Sequence, residues 1–84
     1  MTAAIIETKT IEHAARLTGS KPELLSPAAR LVEDLDMDSL QRLEFVMALE
    51  REFQIEIDDD SSPPWESWRT ISDAVAAVEK EMQQ

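Results

Sequence analysis

The stretch that decides the fold reads Glu33-Asp34-Leu35-Asp36-Met37-Asp38-Ser39-Leu40, and a helix is predicted to follow it to about Phe53. Asp38 is a good N-cap because its carboxylate can accept hydrogen bonds from the first free amides of a helix. Gln41, three residues later, can return a bond to the Asp38 amide, as in a capping box. We therefore expect Ser39 in the first turn, with a hydroxyl that is not needed as the cap.

This predicted helix carries two apolar stripes. With about 100° of rotation per residue, one stripe forms an ordinary core face, made of Phe45, Val46, Leu49 and Phe53. The second stripe lies on roughly the opposite side and consists of Leu40, Leu43 and Met47. Glu44 and Glu50 flank the second stripe and Arg51 lies close by, which argues against a fully buried helix. An exposed apolar stripe with an acidic border, beginning beside a free serine, predicts a docking surface.

Length and composition narrow the kind of protein. A chain of 84 residues predicts one domain, residues 1–84, with a core too small to enclose a large active site. The absence of cysteine excludes a disulfide framework and a thiolate metal site. The sequence has no apolar run long enough to span a membrane, and its first residues lack a basic start and a long apolar region, so we expect no signal peptide. We expect a cytoplasmic monomer without stable membrane insertion.

The net charge of −10 is unevenly distributed along the chain. Residues 33–60 hold eleven acids against two arginines, a net charge of −9, whereas residues 1–32 carry +1 and residues 61–84 carry −2. Such a field repels nucleic acid and anionic membranes and steers basic protein surfaces toward the helix. The plainer explanation, that acidity only keeps a small domain soluble, remains an alternative, although the local concentration of the acids favours a docking role.

Before this helix, the chain predicts a first helix and a long connection. The first helix runs from Thr2 to about Thr18 and ends at Gly19, the only glycine, in a left-handed conformation. Residues 21–37 form a long loop with one helical turn near Pro27-Ala28-Ala29-Arg30. The loop is too apolar for a free linker and is expected to fold back onto the core through Leu24, Leu25, Leu31, Val32, Leu35 and Met37.

After the serine helix, Gln54-Ile55-Glu56-Ile57-Asp58 alternates apolar and polar residues and predicts an extended link with both isoleucines turned inward. Asp58-Asp59-Asp60 lacks the spaced ligands, glycine and terminal glutamate of a calcium loop, so we expect a solvated acidic turn. Ser61-Ser62-Pro63-Pro64-Trp65-Glu66-Ser67-Trp68 predicts one short helical turn. At least one of its tryptophans is expected in the core, and the other lines a ligand cleft or faces a partner.

The last helix is predicted from Ile71 to about Met82. Thr70-Ile71-Ser72-Asp73 is similar to a capping box, with an aspartate in the place of the usual Glu or Gln. One face of this helix is apolar and consists of Ile71, Ala74, Val75 and Val78. Together, these predicted elements form an all-α four-helix bundle, with three longer helices, one short one and a long loop between helices one and two.

The sequence lacks the combinations of residues that form known types of catalytic site. Ser39 has no histidine partner, because His13, the only histidine, is expected alone and distant from it. There is no glycine-rich phosphate loop and no metal-ligand pattern, so we predict no catalytic or metal site. What remains is a serine at a helix N-terminus, where free amides and the helix dipole stabilise a phosphate.

The sequence resembles the acyl carrier protein family. The resemblance is close over residues 31–60: the motif Glu33-Asp34-Leu35-Asp36-Met37-Asp38-Ser39-Leu40 is followed by Leu43-Glu44-Phe45-Val46-Met47-Ala48-Leu49-Glu50 and Phe53-Gln54-Ile55-Glu56-Ile57. It is weaker over 70–78, where Thr70-Ile71-Ser72-Asp73-Ala74-Val75 is similar to the start of the family's last helix, and only topological elsewhere.

The resemblance implies that Ser39 carries a 4′-phosphopantetheine arm, added from coenzyme A by a separate phosphopantetheinyl transferase. The arm's thiol would hold an acyl group as a thioester, and the core face would border a cleft that shelters the chain. Acyl-loading and acyl-transfer enzymes of fatty-acid, specialised lipid or polyketide biosynthesis would dock through basic patches. Their contacts on this chain would be Asp38, Leu40, Leu43, Glu44, Met47 and Glu50.

Three features depart from the common family pattern. Asp36 stands where many members have a glycine, although aspartate tolerates unusual backbone angles. Arg42 and Arg51 stand where common fatty-acid carriers are neutral or acidic, and the Pro63-Pro64-Trp65 segment with its second tryptophan is atypical. These features favour a specialised carrier. An aminoacyl or peptidyl carrier of the same fold and an unmodified acidic helical interaction module remain alternatives, whereas a serine hydrolase lacks a base.

Overall fold

The computed structural model describes residues 2–57 and 64–83. Over these residues the chain is all-helical, as predicted, with three α-helices, α1 (Ala3–Thr18), α2 (Ser39–Phe53) and α3 (Ile71–Met82). The predicted fourth helix is a single 3-10 turn at Trp65–Ser67. The predicted acidic turn at Asp58-Asp59-Asp60 and the residues Ser61-Ser62-Pro63 of the predicted short helix lie outside the described residues.

Helix α1 begins and ends where the sequence predicted. The Thr2 side chain caps it by accepting a hydrogen bond from the backbone N–H of Ile5 at 3.3 Å. Gly19 ends it with a φ of 70°, a left-handed angle that glycine adopts without a Cβ clash. Thr10, a buried polar residue of this helix, donates its hydroxyl to the Ile6 carbonyl oxygen at 2.7 Å. The apolar side of α1 can therefore pack without an unsatisfied hydroxyl.

The long loop between α1 and α2 is joined to the start of α3 by backbone hydrogen bonds. They run from Leu31 N to Arg69 O (2.8 Å), from Ile71 N to Ala29 O (3.1 Å) and from Ser72 N to Pro27 O (2.8 Å). Two of these loop carbonyls accept hydrogen bonds from the first N–H groups of α3. The first N–H groups of a helix have no acceptor within the helix itself. The turn predicted near Pro27-Ala28-Ala29-Arg30 is present as a single hydrogen-bonded turn, from Ala29 N to Ser26 O at 3.0 Å, and not as a helix. The helical turn of this loop is instead a 3-10 helix at Pro22–Leu24.

Most apolar side chains of this loop fold back onto the core, as predicted. Leu25 is half-buried, and the buried ones are Leu31, Leu35 and Met37. The prediction is wrong for Leu24, which is 78% exposed, and for Val32, which is exposed. Leu25 packs against the core in place of Leu24 at the end of the 3-10 helix. In the turn that follows, Leu31 and Leu35 point inward, so the intervening Val32 faces solvent.

The loop ends in a tight turn at Asp36, whose φ is 57°. The Asp36 N–H donates to the Val32 carbonyl oxygen at 3.0 Å, and the Met37 N–H donates to the Leu31 carbonyl oxygen at 3.0 Å. Aspartate tolerates the left-handed region better than most residues with a Cβ. Asp36 therefore adopts the unusual backbone angle that the sequence analysis expected it to tolerate.

Polar contacts join α1 to α2 near each end of α2. The Gln41 side chain donates to the Leu17 carbonyl oxygen at 3.3 Å. Near the other end, the His13 ring lies 2.8 Å from a Glu52 carboxylate oxygen, and the Lys9 ammonium lies 3.9 Å from the other. The prediction that His13 has no acidic partner is wrong, since its partner is 39 residues away in sequence and only the helix packing brings them together.

The core joins the predicted faces of α2 and α3 to Ile6 and Ala14 of α1. Buried residues of α2 are Phe45, Val46, Leu49 and Phe53, and those of α3 are Ile71, Ala74, Val75 and Val78. Trp68 is the tryptophan in the core and meets Phe45 edge-to-face, with ring centroids 6.5 Å apart. Trp65 is half-buried against the same core.

Both remaining helix ends also match their predictions. Gln54 ends α2 in a left-handed conformation, and in the link that follows Ile57 is buried and Ile55 half-buried. Thr70 and Asp73 form a complete capping box at the start of α3. Within residues 2–57 and 64–83, no helix is long and apolar enough to cross a membrane.

The turn at Asp36 gives a first prediction. Asp36→Ala places a residue less tolerant of positive φ at this position, so the free energy of unfolding should fall by about 1 kcal/mol. Asp36→Gly should stay within about 0.5 kcal/mol of the wild type, because glycine takes this angle freely but loses more entropy on folding. Urea unfolding of the three proteins measures both values. Equal losses for alanine and glycine would show that the aspartate side chain, not the backbone angle, matters.

The contact between α1 and α2 predicts a pH dependence. The hydrogen bond from His13 holds the pKa of the Glu52 carboxyl below its ordinary value of 4.5, and the charge of Lys9 acts in the same direction. A depressed folded pKa contributes stability that is fully present above the unfolded pKa and is lost as pH falls through the folded one. Wild type should therefore exceed Glu52→Gln in melting temperature at neutral pH, and the gap should close below about pH 4.5.

Melting temperatures of both proteins across this pH range provide the measurement. The comparison with the variant is needed because the many other carboxylates also protonate in acid. A gap that stays constant with pH would show that ionisation of Glu52 does not stabilise the fold.

Candidate functional site

The site is built at the first turn of α2. The Asp38 carboxylate accepts a hydrogen bond from the Gln41 N–H at 2.7 Å, and the Gln41 side-chain oxygen accepts one from the Asp38 N–H at 3.3 Å. The predicted capping box is therefore complete. Ser39 is exposed and its hydroxyl has no hydrogen-bond partner among the described residues. Because its neighbour provides the cap, the Ser39 oxygen is left open to solvent.

The backbone at this helix end fits a phosphate ester on the serine. The first bond of the regular helix pattern runs from Arg42 N to Asp38 O at 3.0 Å. The N–H groups of Ser39 and Leu40 have no acceptor in the part of the chain that the structure describes. Open amides and the positive end of the helix dipole both favour a phosphate there. An accessible hydroxyl beside them could carry a phosphate-linked group such as phosphopantetheine.

A salt bridge stabilises the loop that precedes Ser39. Arg30 binds the Asp34 carboxylate through its guanidinium at 3.2 and 3.3 Å and through its backbone N–H at 2.8 Å. The side-chain bond from Arg30, followed by the backbone bond, lowers the pKa of Asp34. Asp34 therefore serves the loop and part of its charge is balanced locally.

Gln41 links the first turn of α2 to α1 by hydrogen bonding. One end of its side chain completes the capping box, and the other donates to the Leu17 carbonyl oxygen near the end of α1. That carbonyl belongs to the last turn of α1, where helix carbonyls lack helical partners. The turn that carries Ser39 is thus held by the loop before it and by the neighbouring helix.

The second stripe of α2 is exposed, as the sequence predicted. Leu40 is 63% exposed, Leu43 39% and Met47 44%, and Glu44 beside them is exposed too. Glu50 differs, because it is half-buried and its carboxylate accepts a hydrogen bond from the Ile57 N–H at 2.8 Å. The structure therefore places five of the predicted contact residues around an outward face beside Ser39 and gives the sixth a bond to the following link.

Among residues 2–57 and 64–83, the arrangement offers Ser39 no catalytic base. His13 pairs with Glu52, which follows Ser39 by 13 residues, or about 20 Å along the axis of α2. Within the described residues no group of acids and histidine could hold a metal ion. A groove of about 320 Å³ between α1 and α2 is lined by His13, Arg16, Leu17, Ala48, Arg51 and Glu52. It lies along the second half of α2, away from the serine.

Arg42 has a role that the sequence interpretation missed. Its guanidinium donates to the Glu66 carbonyl oxygen at 3.3 Å and so joins the first turn of α2 to the 3-10 turn before α3. The Nε of Arg42 and the indole Nε1 of Trp68 are both buried without a partner among the described residues. Helical spacing carried a signal, because Arg42 precedes Phe45 and Val46 by three and four residues and therefore shares their core side.

Comparison with known proteins places this geometry in a family. The family model described as "Phosphopantetheine attachment site" matches residues 9–78. An acyl carrier protein of Syntrophobacter fumaroxidans is 40% identical over 73 residues, which cover 87% of this chain and 86% of that one. An acyl carrier protein of Phenylobacterium zucineum is 41% identical over 72 residues, covering 86% and 82%.

A solved structure agrees with these relatives. The apo doublet acyl carrier protein from prodigiosin biosynthesis superimposes with a TM-score of 0.74 and 26% identity over 92% of this chain. The chain spans about a third of that doublet, 36% of its length. The matched family model covers the Ser39 turn and all of α2, and the matched structure has the same helical arrangement. The chain belongs to the acyl carrier protein family.

Proposed function

We propose that this chain is a specialised acyl carrier protein in which Ser39 bears 4′-phosphopantetheine. The observation that carries the proposal is the exposed Ser39 hydroxyl, free of capping duty, in a turn whose N–H groups are open. When bound, the arm supplies a thiol that holds an acyl group as a thioester. In the cytoplasm, a separate transferase adds the arm from coenzyme A, and the helix end stabilises the phosphodiester on the serine oxygen.

The proposed partners dock on the exposed stripe of α2. Leu40, Leu43 and Met47 offer apolar contacts beside the serine. Glu44 provides an unpaired carboxylate at the border of the stripe, within the described part of the chain. Enzymes with a basic patch around an apolar pocket fit such a surface, since complementary charge speeds encounter and apolar contact holds the complex. These partners are the transferase and the enzymes that load and remove the acyl group.

Several features favour a specialised carrier over a housekeeping one. Arg42 and Trp68 build a contact between α2 and the segment before α3 that uses the residues atypical of common fatty-acid carriers. A neighbour in structure serves prodigiosin biosynthesis, so the fold is used outside bulk fatty-acid synthesis. We therefore place this chain in the synthesis of a specialised lipid or polyketide.

Arm attachment is tested by intact mass. The purified protein is incubated with coenzyme A and a broad-specificity phosphopantetheinyl transferase, and Ser39→Ala is treated in parallel. The wild type should gain a single arm per chain, and the alanine variant should gain none. Circular dichroism on both proteins provides the folding control. A folded wild type that gains no arm, or a variant that still gains one, would contradict the assignment of Ser39.

The docking stripe is tested by charge insertion. Leu43→Arg and Met47→Arg place a cation in the stripe and should repel a basic partner, lowering kcat/KM for arm transfer about tenfold or more, as for a binding hot spot worth at least 1.4 kcal/mol. Ile5→Arg is the matched control, because Ile5 is 45% exposed in the first turn of α1, at the end opposite Ser39. It should leave the rate unchanged.

Thermal unfolding of the three variants distinguishes docking from folding. All three should melt close to the wild type, since each replaced side chain is already exposed. Loss of folding in Leu43→Arg or Met47→Arg would identify the stripe as core. Normal folding with an unchanged transfer rate would remove the stripe from the transferase interface.

A further inference from the structure

A basic groove lies between α1 and α2, in a chain whose net charge is −10. Two exposed arginines line this groove, Arg16 from α1 and Arg51 from α2. Lys9 lies 3.9 Å from Glu52, whose carboxylate is the one acid among the groove's lining residues. Three cations thus stand against one carboxylate, a local charge of +2 even with His13 neutral. The docking of basic partners on α2 makes no use of this positive charge.

The two arginines have no close partner in the part of the chain that the structure describes. Neither guanidinium takes part in a hydrogen bond or an ion pair there. The Glu52 carboxylate contacts other groups, since His13 lies 2.8 Å from one of its oxygens and Lys9 lies 3.9 Å from the other. The hydrogen bond from His13 is the main cause that lowers the pKa of Glu52, and the charge of Arg16 contributes least. Both arginines therefore present a charge that another molecule can neutralise.

Position in the helix explains each arginine singly but not the pair. Arg16 lies in the last turn of α1 and Arg51 in the last turn of α2, where a cation suits the negative end of the helix dipole. Any outward direction of the side chain satisfies that interaction. Here both side chains line one groove, together with the apolar Leu17 and Ala48. Two cations that converge on a partly apolar groove favour an anion with a hydrocarbon part.

The guanidinium geometry and the size of the groove specify the occupant. An arginine binds a carboxylate through two parallel N–H bonds. The groove volume of about 320 Å³ is at the small end of the range for small-molecule pockets, so it suits a protein side chain better than a whole metabolite. Leu17 and Ala48 can contact the methylene groups of that side chain. An aspartate or glutamate beside an apolar residue on a protein surface meets these demands.

The groove continues the exposed stripe of α2. Arg51 follows Met47 by four residues, so it lies about 6 Å further along the helix axis and about 40° around it. Arg51 also lies about 18 Å along the axis from Ser39, since twelve residues separate the two. A protein that covers the stripe from Ser39 onward therefore reaches the groove with the same surface.

We propose that the groove between α1 and α2 receives an acidic side chain of a partner enzyme, held between Arg16 and Arg51. This inference rests on the proposed function, because the partner is an enzyme that docks on the exposed stripe. Its surface carries both signs of charge: basic groups that meet Glu44, and a carboxylate about 18 Å beyond the Ser39 contact that meets the arginines. An enzyme whose surface is basic throughout is repelled at the groove, so the groove selects among enzymes that bind carriers.

The test uses short capped peptides as probes of the unmodified protein. One peptide alternates glutamate with leucine, and its match has glutamine in place of every glutamate. Nitrogen–proton correlation spectra at low salt follow the backbone amides and the arginine Nε protons. The glutamate peptide should shift the signals of Arg16 and Arg51 and bind at least tenfold more tightly than the glutamine peptide. Added sodium chloride should weaken this binding, because the contact is exposed to screening ions.

Paired substitutions locate the binding. Arg16→Gln with Arg51→Gln removes both arginine charges from the groove and should lower the affinity for the glutamate peptide about tenfold, as expected for a charge pair at a binding hot spot. Lys21→Gln with Arg69→Gln is the matched control, because it removes the same charge from exposed positions outside the groove. An equal loss in both variants would reduce the effect to net charge and overturn the site. Spectra of the wild type with the two peptides keep the proposal falsifiable if a variant does not fold.

Other occupants of the groove are distinct outcomes. Equal binding of the two peptides would overturn the proposal. Inorganic phosphate that shifts the same signals as strongly at the same concentration would also overturn it, by showing a site for any small anion. Analytical ultracentrifugation tests a second copy of this chain as the source of the acidic side chain. A dimer that the groove variant abolishes would assign the groove to self-association instead.

The outcomes also separate this inference from the proposed function. The peptide spectra need no arm, so a failure there overturns the groove proposal and leaves Ser39 as the proposed attachment site. A folded chain that never accepts an arm at Ser39 would overturn the proposed function and, with it, the carrier-binding enzyme as partner. Preferential binding of the glutamate peptide would still identify the groove as an acid-binding site in that case.

Discussion

The structure depends on one short hydrogen bond, from the Gln41 N–H to the Asp38 carboxylate at 2.7 Å. It starts α2 at a fixed residue, and the register of the whole helix follows from that start. With this register, Phe45 and Leu49 face the core, while Leu43 and Met47 face solvent. A start one residue earlier or later would turn every side chain by about 100° and mix the two faces. The same bond makes the cap independent of the serine next to it, so the residue proposed to carry the arm has no structural duty of its own.

The other polar contacts around this cap hold the loops and helix ends in place and do not involve the exposed stripe of α2. Arg30 and Asp34 brace the loop, Gln41 reaches the last turn of α1, and Arg42 reaches the carbonyl of Glu66. Glu50 holds the link after α2 through the Ile57 N–H. Each contact leaves the exposed stripe uncovered. A small domain can therefore keep an apolar surface open, because the free energy that fixes α2 comes from its ends and its core side.

The parts of this fold that were predictable from sequence are those fixed by near neighbours. The capping boxes, the left-handed Gly19 and the two stripes of α2 each follow from residues a few positions apart. Contacts between distant segments were not predictable. The pairing of the long loop with the start of α3 had no local signal, and the packing of α2 against α1 gave His13 a partner. The geometry of the turn at Ser39 belonged to the first group, whereas the hydrogen bond from Arg42 to the Glu66 carbonyl oxygen joins residues 24 positions apart, which no local pattern encodes.

These contacts also distinguish the individual carboxylates of the acidic region, residues 33–60. Five of its carboxylates have partners inside the described part of the chain: Glu33 and Asp34 pair with Arg30, Asp38 with Gln41, Glu50 with Ile57 and Glu52 with His13. Glu44 is not paired within those residues, and it stands on the border of the exposed stripe. The committed acids still contribute to the long-range field that draws a basic surface toward α2. A short-range contact needs a carboxylate that is free to turn, and on this face Glu44 meets that condition. In the docking that we propose, the net charge attracts a basic partner, and Glu44 positions that partner over Leu40, Leu43 and the serine.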